Sequence, residues 1–309
     1  MANEAYVKEL VSLKEQLKFD RVFDVAGAKN IVIAGMGGSG IAGMIFQEIY
    51  SELPVYMVND YHIPNFVDKE TLFVAISYSG NTEETLSAYD KAAEKGAKMV
   101  AITSGGALAS ESKEPIIIPQ GLQPRAALGY MIMPLLKSFG MAGNDEIGEA
   151  YDILGKIDAQ NEGEKLIAEE VAMGKKIPVI YGVYPYKAVA YRWKTQFNEN
   201  SKVIAYSSSF PELNHNDTMA LKNTYKKSDF YFFCLSDNRD SRMDKRIKAT
   251  EEITGTMFRQ IGARGKSRLS RIMSMVHIGD YITFHLAGLL DKDPLNVTEI
   301  EELKLKLKE

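Results

Sequence analysis

Apolar positions along the chain switch between two periods, and the switches outline its architecture. From Tyr6 to Leu17 the apolar residues Val7, Leu10, Val11, Leu13 and Leu17 recur at helical spacing and predict a leading helix. Asn30 to Gly35 is then a short unbroken apolar run, the pattern of a strand buried on both faces. It runs into Met36-Gly37-Gly38-Ser39-Gly40, after which Ile41 to Tyr50 returns to helical spacing. Pro54 to Val58 and Thr71 to Ile76 are further strands. Thr82 to Lys95 predicts a helix with Gly96 just past its end. Met99 to Thr103 and Glu114 to Pro119 read as strands, and Ala126 to Phe139 as a helix. Strands alternating with helices predict a parallel sheet covered on both faces.

Asn144 to Val171 is polar, helix-prone and free of proline, and reads as one linking helix. Beyond it the pattern starts again. Ile177 to Gly182 is strand-like and leads into a helix from Tyr184 to Phe197, echoing Ile31 to Ile45 without the glycine-rich turn. Asp229 to Leu235 and Thr256 to Ile261 predict strands. Arg239 to Glu252, Leu269 to Leu290 and Val297 to Lys308 predict helices. The expected fold is α/β, with two doubly wound, flavodoxin-like three-layer units. Residues 1–145 form the first, 146–174 the link and 175–309 the second.

Composition narrows the classes of function. A length of 309 residues suits two domains. The net charge of -4 lacks the basic surplus that nucleic-acid binding calls for, so no nucleic-acid partner is expected. No run of about 18 apolar residues occurs, so no membrane span is expected. The polar N-terminus does not read as a signal peptide. The single cysteine, Cys234, lies in an apolar run and excludes an intrachain disulfide. A cytoplasmic setting fits these features.

Two loops carry candidate chemistry. Gly35-Met36-Gly37-Gly38-Ser39-Gly40 joins a strand to a helix, where glycines admit a ligand and free N–H groups at the helix start attract an oxyanion. Gly35, Gly37 and Gly40 also match the G-x-G-x-x-G dinucleotide spacing, and Asn59-Asp60 stands near the expected acidic position, which keeps a nicotinamide enzyme open. Ser77-Tyr78-Ser79-Gly80-Asn81-Thr82 follows another strand and places three hydroxyls at another helix start. That grouping suits a compact phosphate better than a dinucleotide. No His/Cys/Asp cluster has metal-ligand spacing, so neither metal nor cofactor is expected.

Ile76 to Thr85 resembles the signature loop of sugar isomerase (SIS) domains. Three further segments extend the likeness: Gln123-Pro124-Arg125-Ala126-Ala127-Leu128-Gly129-Tyr130, Asn198-Glu199-Asn200-Ser201-Lys202 and Pro211-Glu212-Leu213-Asn214-His215-Asn216. Together they resemble the archaeal-type bifunctional phosphoglucose/phosphomannose isomerases, over nearly the whole chain. The resemblance implies interconversion of glucose 6-phosphate and mannose 6-phosphate with fructose 6-phosphate through a cis-enediolate. It implies Gly37, Gly38, Ser39, Ser77, Ser79 and Thr82 as the phosphate site. Glu199 would be the base, Arg125 the cation at the enediolate oxygens, and His215 a ring-opening group acting across a dimer interface. Asp293-Pro294 followed by Ile300-Glu301-Glu302-Leu303-Lys304 matches the family's C-terminal pattern and makes Lys304 the second ring-opening group, with Lys306 and Lys308 close by. Some members place a water with a threonine before that lysine, and Thr298 stands near this position. A homodimer with a shared site follows from the same likeness.

Two other classes share the domain. A non-enzymatic sugar-phosphate sensor normally carries a helix-turn-helix, for which Tyr6 to Leu17 is too short. An aminosugar-phosphate isomerase usually carries an amidotransferase partner domain, which this sequence lacks. His62, His277 and His285 have no context comparable to that of His215.

Overall fold

The computed structural model describes residues 2–307. Helix α1 (Ala2–Gln16) buries Tyr6, Leu10 and Leu13. Then follow β1 (Asn30–Ala34), α2 (Gly37–Ile49), β2 (Val55–Val58), β3 (Thr71–Ser77), α3 (Glu83–Glu94), β4 (Lys98–Thr103), α4 (Gly106–Glu111), β5 (Ile116–Ile117) and α5 (Leu128–Ser138). The strands form one parallel sheet in the order β2-β1-β3-β4-β5. Alternation along the strands splits the core. Ile31, Ile33, Leu72, Val74 and Ile76 enter the large cluster, whereas Val32, Ala34, Phe73 and Ala75 enter a smaller one with Ala88, Tyr89 and Ala92 of α3.

Helices α6 (Asn144–Ala159) and α7 (Glu162–Met173) lead to a second parallel sheet. It holds β6 (Ile177–Gly182), β7 (Tyr206–Ser209), β8 (Phe230–Ser236) and β9 (Arg259–Gly262) in the order β7-β6-β8-β9. The helices of this half are α8 (Lys187–Glu199), α9 (Asp217–Asn223), α10 (Ser241–Thr254), α11 (Arg268–Leu289) and α12 (Thr298–Lys306). Both halves are thus doubly wound α/β units. In each, the winding reverses between two neighbouring central strands, β1 and β3 in the first and β6 and β8 in the second. Crevices for ligands open beyond the carboxyl ends of the strands at such a reversal.

The linking segment is two helices, not one. Asn161 turns its amide back on the carbonyls of Ile157 and Asp158, at 3.4 and 3.2 Å, and ends α6 there. Both helices are core elements: Ile147, Leu154, Ile157, Ile167 and Val171 join α11 residues in the large cluster, which runs through both halves. Helix α2 starts at Gly37, so Gly37-Gly38-Ser39 form its first turn rather than the loop before it. Helix α8 extends to Glu199, two residues past the predicted end. The short elements α4, β7 and α9 have no strong periodic signal. The terminal helix ends at Lys306, and Lys308 lies outside the described residues. Among the described residues no helix is long and apolar enough to cross a membrane.

Candidate active site

The two expected anion loops meet at the β1/β3 reversal. Helix α2 has Met36 as its N-cap with no side-chain cap, so the first-turn N–H groups of Gly37, Gly38 and Ser39 have no helical partner. Helix α3 likewise starts after Thr82 without a side-chain cap. The Ser39 hydroxyl, 5% exposed, accepts from the Tyr78 amide at 3.2 Å and so ties one helix start to the other loop. Ser77 and Thr82 hydroxyls stand 3.0 Å apart, and Gly80 N–H donates to Ser77 Oγ at 3.1 Å. Gly80 has φ +69, and a Cβ there would meet the Gly105 carbonyl at 1.8 Å, so only glycine lets the β4–α4 turn close over this loop. The exposed Ser79 hydroxyl accepts from Asn81 N–H at 3.3 Å. The result is a polar crevice with two uncapped helix N-termini, a setting that favours an anion.

Arg125 sits beside it. A Cβ on Gly38 would come within 2.8 Å of Arg125 Cα, so glycine lets the 3-10 turn Pro124–Ala127 press against the start of α2. The guanidinium is almost fully buried. Its Nε donates to Asn200 Oδ1 at 2.9 Å, Nη1 to Gln123 Oε1 and Glu199 Oε2 at 3.3 Å each, and Nη2 to the Pro294 carbonyl. Tyr6 OH donates to the same Asn200 oxygen at 2.9 Å, and Asn200 Nδ2 donates to Thr283 Oγ1 at 3.0 Å. Burial pushes the Tyr6 phenol up to about 12, so it stays a donor at neutral pH. The Arg125 carbonyl accepts from Arg192 Nη1 at 3.0 Å, and Arg192 is itself paired with buried Asp280 at 2.8 Å.

Glu199, the last residue of α8, keeps 27% of its side chain exposed against 3% for Arg125. It therefore reaches solvent-accessible space while a buried cation steadies its carboxylate. Beside it opens a groove of about 360 Å³ lined by Asn198, Glu199, Lys202, Asn296, Glu299 and Ile300, among others. A carboxylate, a fixed guanidinium and an adjacent anion crevice can together bind a phosphorylated substrate and move a proton on it.

The other predicted residues lie apart from this pair. His215 is exposed at the end of the 3-10 turn Glu212–His215. Lys304 lies on α12, which buries none of its own residues. Thr298 donates its hydroxyl to Asn296 Oδ1 at 2.7 Å, close to the groove. The structure thus gathers the anion loops with Arg125 and Glu199, and leaves His215 and Lys304 on the surface. Asn200, Lys202 and Gln123 stood in the quoted motifs without a role. Tyr6 carried no signal at all beyond its helical spacing. Among the described residues no group of three or more His, Cys, Asp or Glu could hold a metal ion.

In the second half the start of α8 is occupied from within the chain. Glu48 of α2 fills the start of α8, its carboxylate accepting from Lys187 and Ala188 N–H at 3.0 and 2.8 Å. The chain's own carboxylate occupies the place an external anion would take.

The chain is similar to known proteins over almost all of its length. A model described as "SIS domain" matches residues 24–137, and one described as "Bacterial phospho-glucose isomerase C-terminal SIS domain" matches residues 160–307. A bifunctional phosphoglucose/phosphomannose isomerase of Thermoplasma volcanium is 55% identical, over 98% of this chain and 99% of that protein. The protein of the same name from Thermoplasma acidophilum is 54% identical, over 98% and 97%. Among solved structures, glucosamine-6-phosphate deaminase of Thermotoga maritima matches with a TM-score of 0.74 at 15% identity, over 95% and 96% of the two chains, a likeness of fold.

Proposed function

The chain belongs to the family of bifunctional phosphoglucose/phosphomannose isomerases, and we propose that it interconverts glucose 6-phosphate and mannose 6-phosphate with fructose 6-phosphate. The observation that carries this reading is the pairing of a part-exposed carboxylate, Glu199, with a buried guanidinium, Arg125, whose turn packs on the glycine loop.

The first half, residues 1–145, supplies the grip. The substrate phosphate takes the N–H groups at the starts of α2 and α3 and the hydroxyls of Ser77, Ser79 and Thr82. Ser39 contributes its N–H, because its hydroxyl already braces Tyr78. The second half, residues 175–309, supplies the chemistry. Once the ring is open, Glu199 removes the proton from the carbon beside the carbonyl, and the electron pair left behind forms a cis-enediolate. Arg125 offsets the charge that gathers on its oxygens. Glu199 then returns the proton to the neighbouring carbon while a hydroxyl proton passes between the C1 and C2 oxygens, so that the carbonyl moves from one carbon to the other. The enediolate is planar at C2, so protonation of one face gives the gluco sugar and of the other the manno sugar, and rotation about the C2–C3 bond presents either face to the same carboxylate. One base thus serves both activities.

Ring opening falls to His215 and Lys304, with Thr298 placing a water that bears on the manno product. His215 and α12 are exposed, and so are Ile300, Leu303 and Leu305 along α12. A homodimer in which each chain lends His215 to its partner's groove suits those surfaces. A cytoplasmic setting suits Cys234, whose thiol burial pushes up to about 12.

Incubation with fructose 6-phosphate, without added nicotinamide, tests the reading. Glucose 6-phosphate and mannose 6-phosphate are both expected. A protein that binds the ketose and forms neither aldose would be a sensor, and the proposal would be lost.

A further inference from the structure

Lys202 follows the end of α8 and has φ +58, a left-handed backbone that glycine adopts freely and lysine only at a cost. Lys175, Asn238 and Asp291 share that geometry, but Lys202 alone of the four lines the groove beside Glu199. Something at the groove makes a side chain worth holding there. The Lys202 ammonium donates to the Glu199 main-chain carbonyl and, at 2.7 Å, to that of Asn296. Among the described residues it has no carboxylate within ion-pair distance, so two neutral carbonyls hold the cation. Although Lys202 is exposed, partial burial of its ammonium and then the neighbouring Arg125 charge pull its pKa below that of an ordinary lysine, against the opposing pull of Glu299, Asp293 and Glu199.

The carbonyl of Asn296 belongs to a strap, residues 293–297, between α11 and α12. Arg125 holds the same strap two residues earlier, through the Pro294 carbonyl. Two cations flanking Glu199 therefore grip alternate carbonyls of one segment. Helix α12 buries no residue of its own, yet its first turn brings Glu299 and Ile300 into the groove. Its placement depends on the strap.

We propose that Lys202 is a positioning residue of the isomerase: its ammonium ties the Glu199 carbonyl to the Asn296 carbonyl and so fixes the base against the strap that delivers α12 to the groove. The inference rests on Glu199 being the base. It gives the left-handed lysine a reason, since glycine would suit the backbone and lose the tie.

Lys202→Gly, Lys202→Met and Lys202→Arg, assayed with fructose 6-phosphate beside the wild type, test it. Lys202→Gly relieves the backbone, so its melting temperature should match or exceed the wild type while kcat falls roughly tenfold or more. KM should stay within about threefold, because the phosphate is gripped by the other half. Lys202→Met should behave like Lys202→Gly in kcat, and Lys202→Arg, which keeps a cationic donor, should recover much of the loss. Wild-type kcat in Lys202→Gly would overturn the inference. So would equal losses in all three variants accompanied by falling melting temperatures, the mark of a purely structural side chain. An inactive wild type would instead sink the isomerase reading, so the two failures are distinguishable.

Discussion

Arg125 shows how much a single side chain can be made to do by its neighbours. Every nitrogen of its guanidinium has a partner: Asn200, Gln123, Glu199 and the Pro294 carbonyl. Its main-chain carbonyl is held by Arg192, whose charge is offset by Asp280. Such a planar fork cannot be replaced by an ammonium, which is a compact charge without fixed donor directions. Arg125→Lys keeps the charge but loses the contacts to Asn200 and Pro294. Hydrogen bonds to charged groups contribute about 1.5–3 kcal/mol, so kcat is expected to fall on the order of 10- to 100-fold. KM should change far less. Steady-state kinetics with fructose 6-phosphate checks this, and a lysine variant as fast as the wild type would show that charge alone suffices.

At the scale of elements, helix ends do as much as helix faces. Glu149 of α6 accepts from the N–H groups of Lys266 and Ser267 at 2.7 and 2.8 Å and from the Ser270 hydroxyl at 3.1 Å, capping the start of α11. These bonds, those from Ser267 foremost, lower the carboxyl from 4.5 to about 2. Because it ionises lower in the folded chain than in the unfolded one, its contribution is present above pH 4.5 and lost as pH falls toward 2. Glu149→Gln should therefore lower stability at neutral pH by about 0.5–2 kcal/mol, as for a lost cap. It should also flatten the decline of stability over that acid range. Urea titrations at several pH values read both effects, and parallel acid limbs in the two proteins would contradict the assignment.

Elements of this kind differ in how far the sequence announces them. The buried strands β1, β3, β4, β6 and β8 and the long helix α11 were legible, because unbroken apolar runs and helical spacing survive without context. The start of α2 was not, since glycine is a poor helix former and only packing against Arg125 places it in the helix. The single linking helix failed at Asn161, where one side chain competes with the backbone. Strand β7, written Tyr-Ser-Ser-Ser, is an edge strand with no apolar alternation to read. The two candidate anion loops were legible because glycine and hydroxyls cluster locally. The arrangement around Arg125 could not, because residues 6, 125, 200 and 294 meet only in the folded chain.

On the scale of the whole molecule, two halves of like topology have taken different tasks. The first presents two helix starts without side-chain caps at its β1/β3 reversal. The second fills the start of α8 with Glu48, whose carboxyl is raised by burial against the pull of its two backbone donors and of Lys187. One hydrophobic cluster runs through both halves and takes in both Ile33 of β1 and Ile278 of α11. A core shared by the two halves suits a reaction in which one end of the substrate is gripped while the other is deprotonated. In the proposed mechanism one carboxylate serves both sugars. Measuring aldose formation from fructose 6-phosphate by Glu199→Gln, together with binding of the ketose, tests it most directly. Glucose 6-phosphate and mannose 6-phosphate production should fall together by several orders of magnitude while binding persists; retained turnover to either sugar would show that Glu199 is not the shared base.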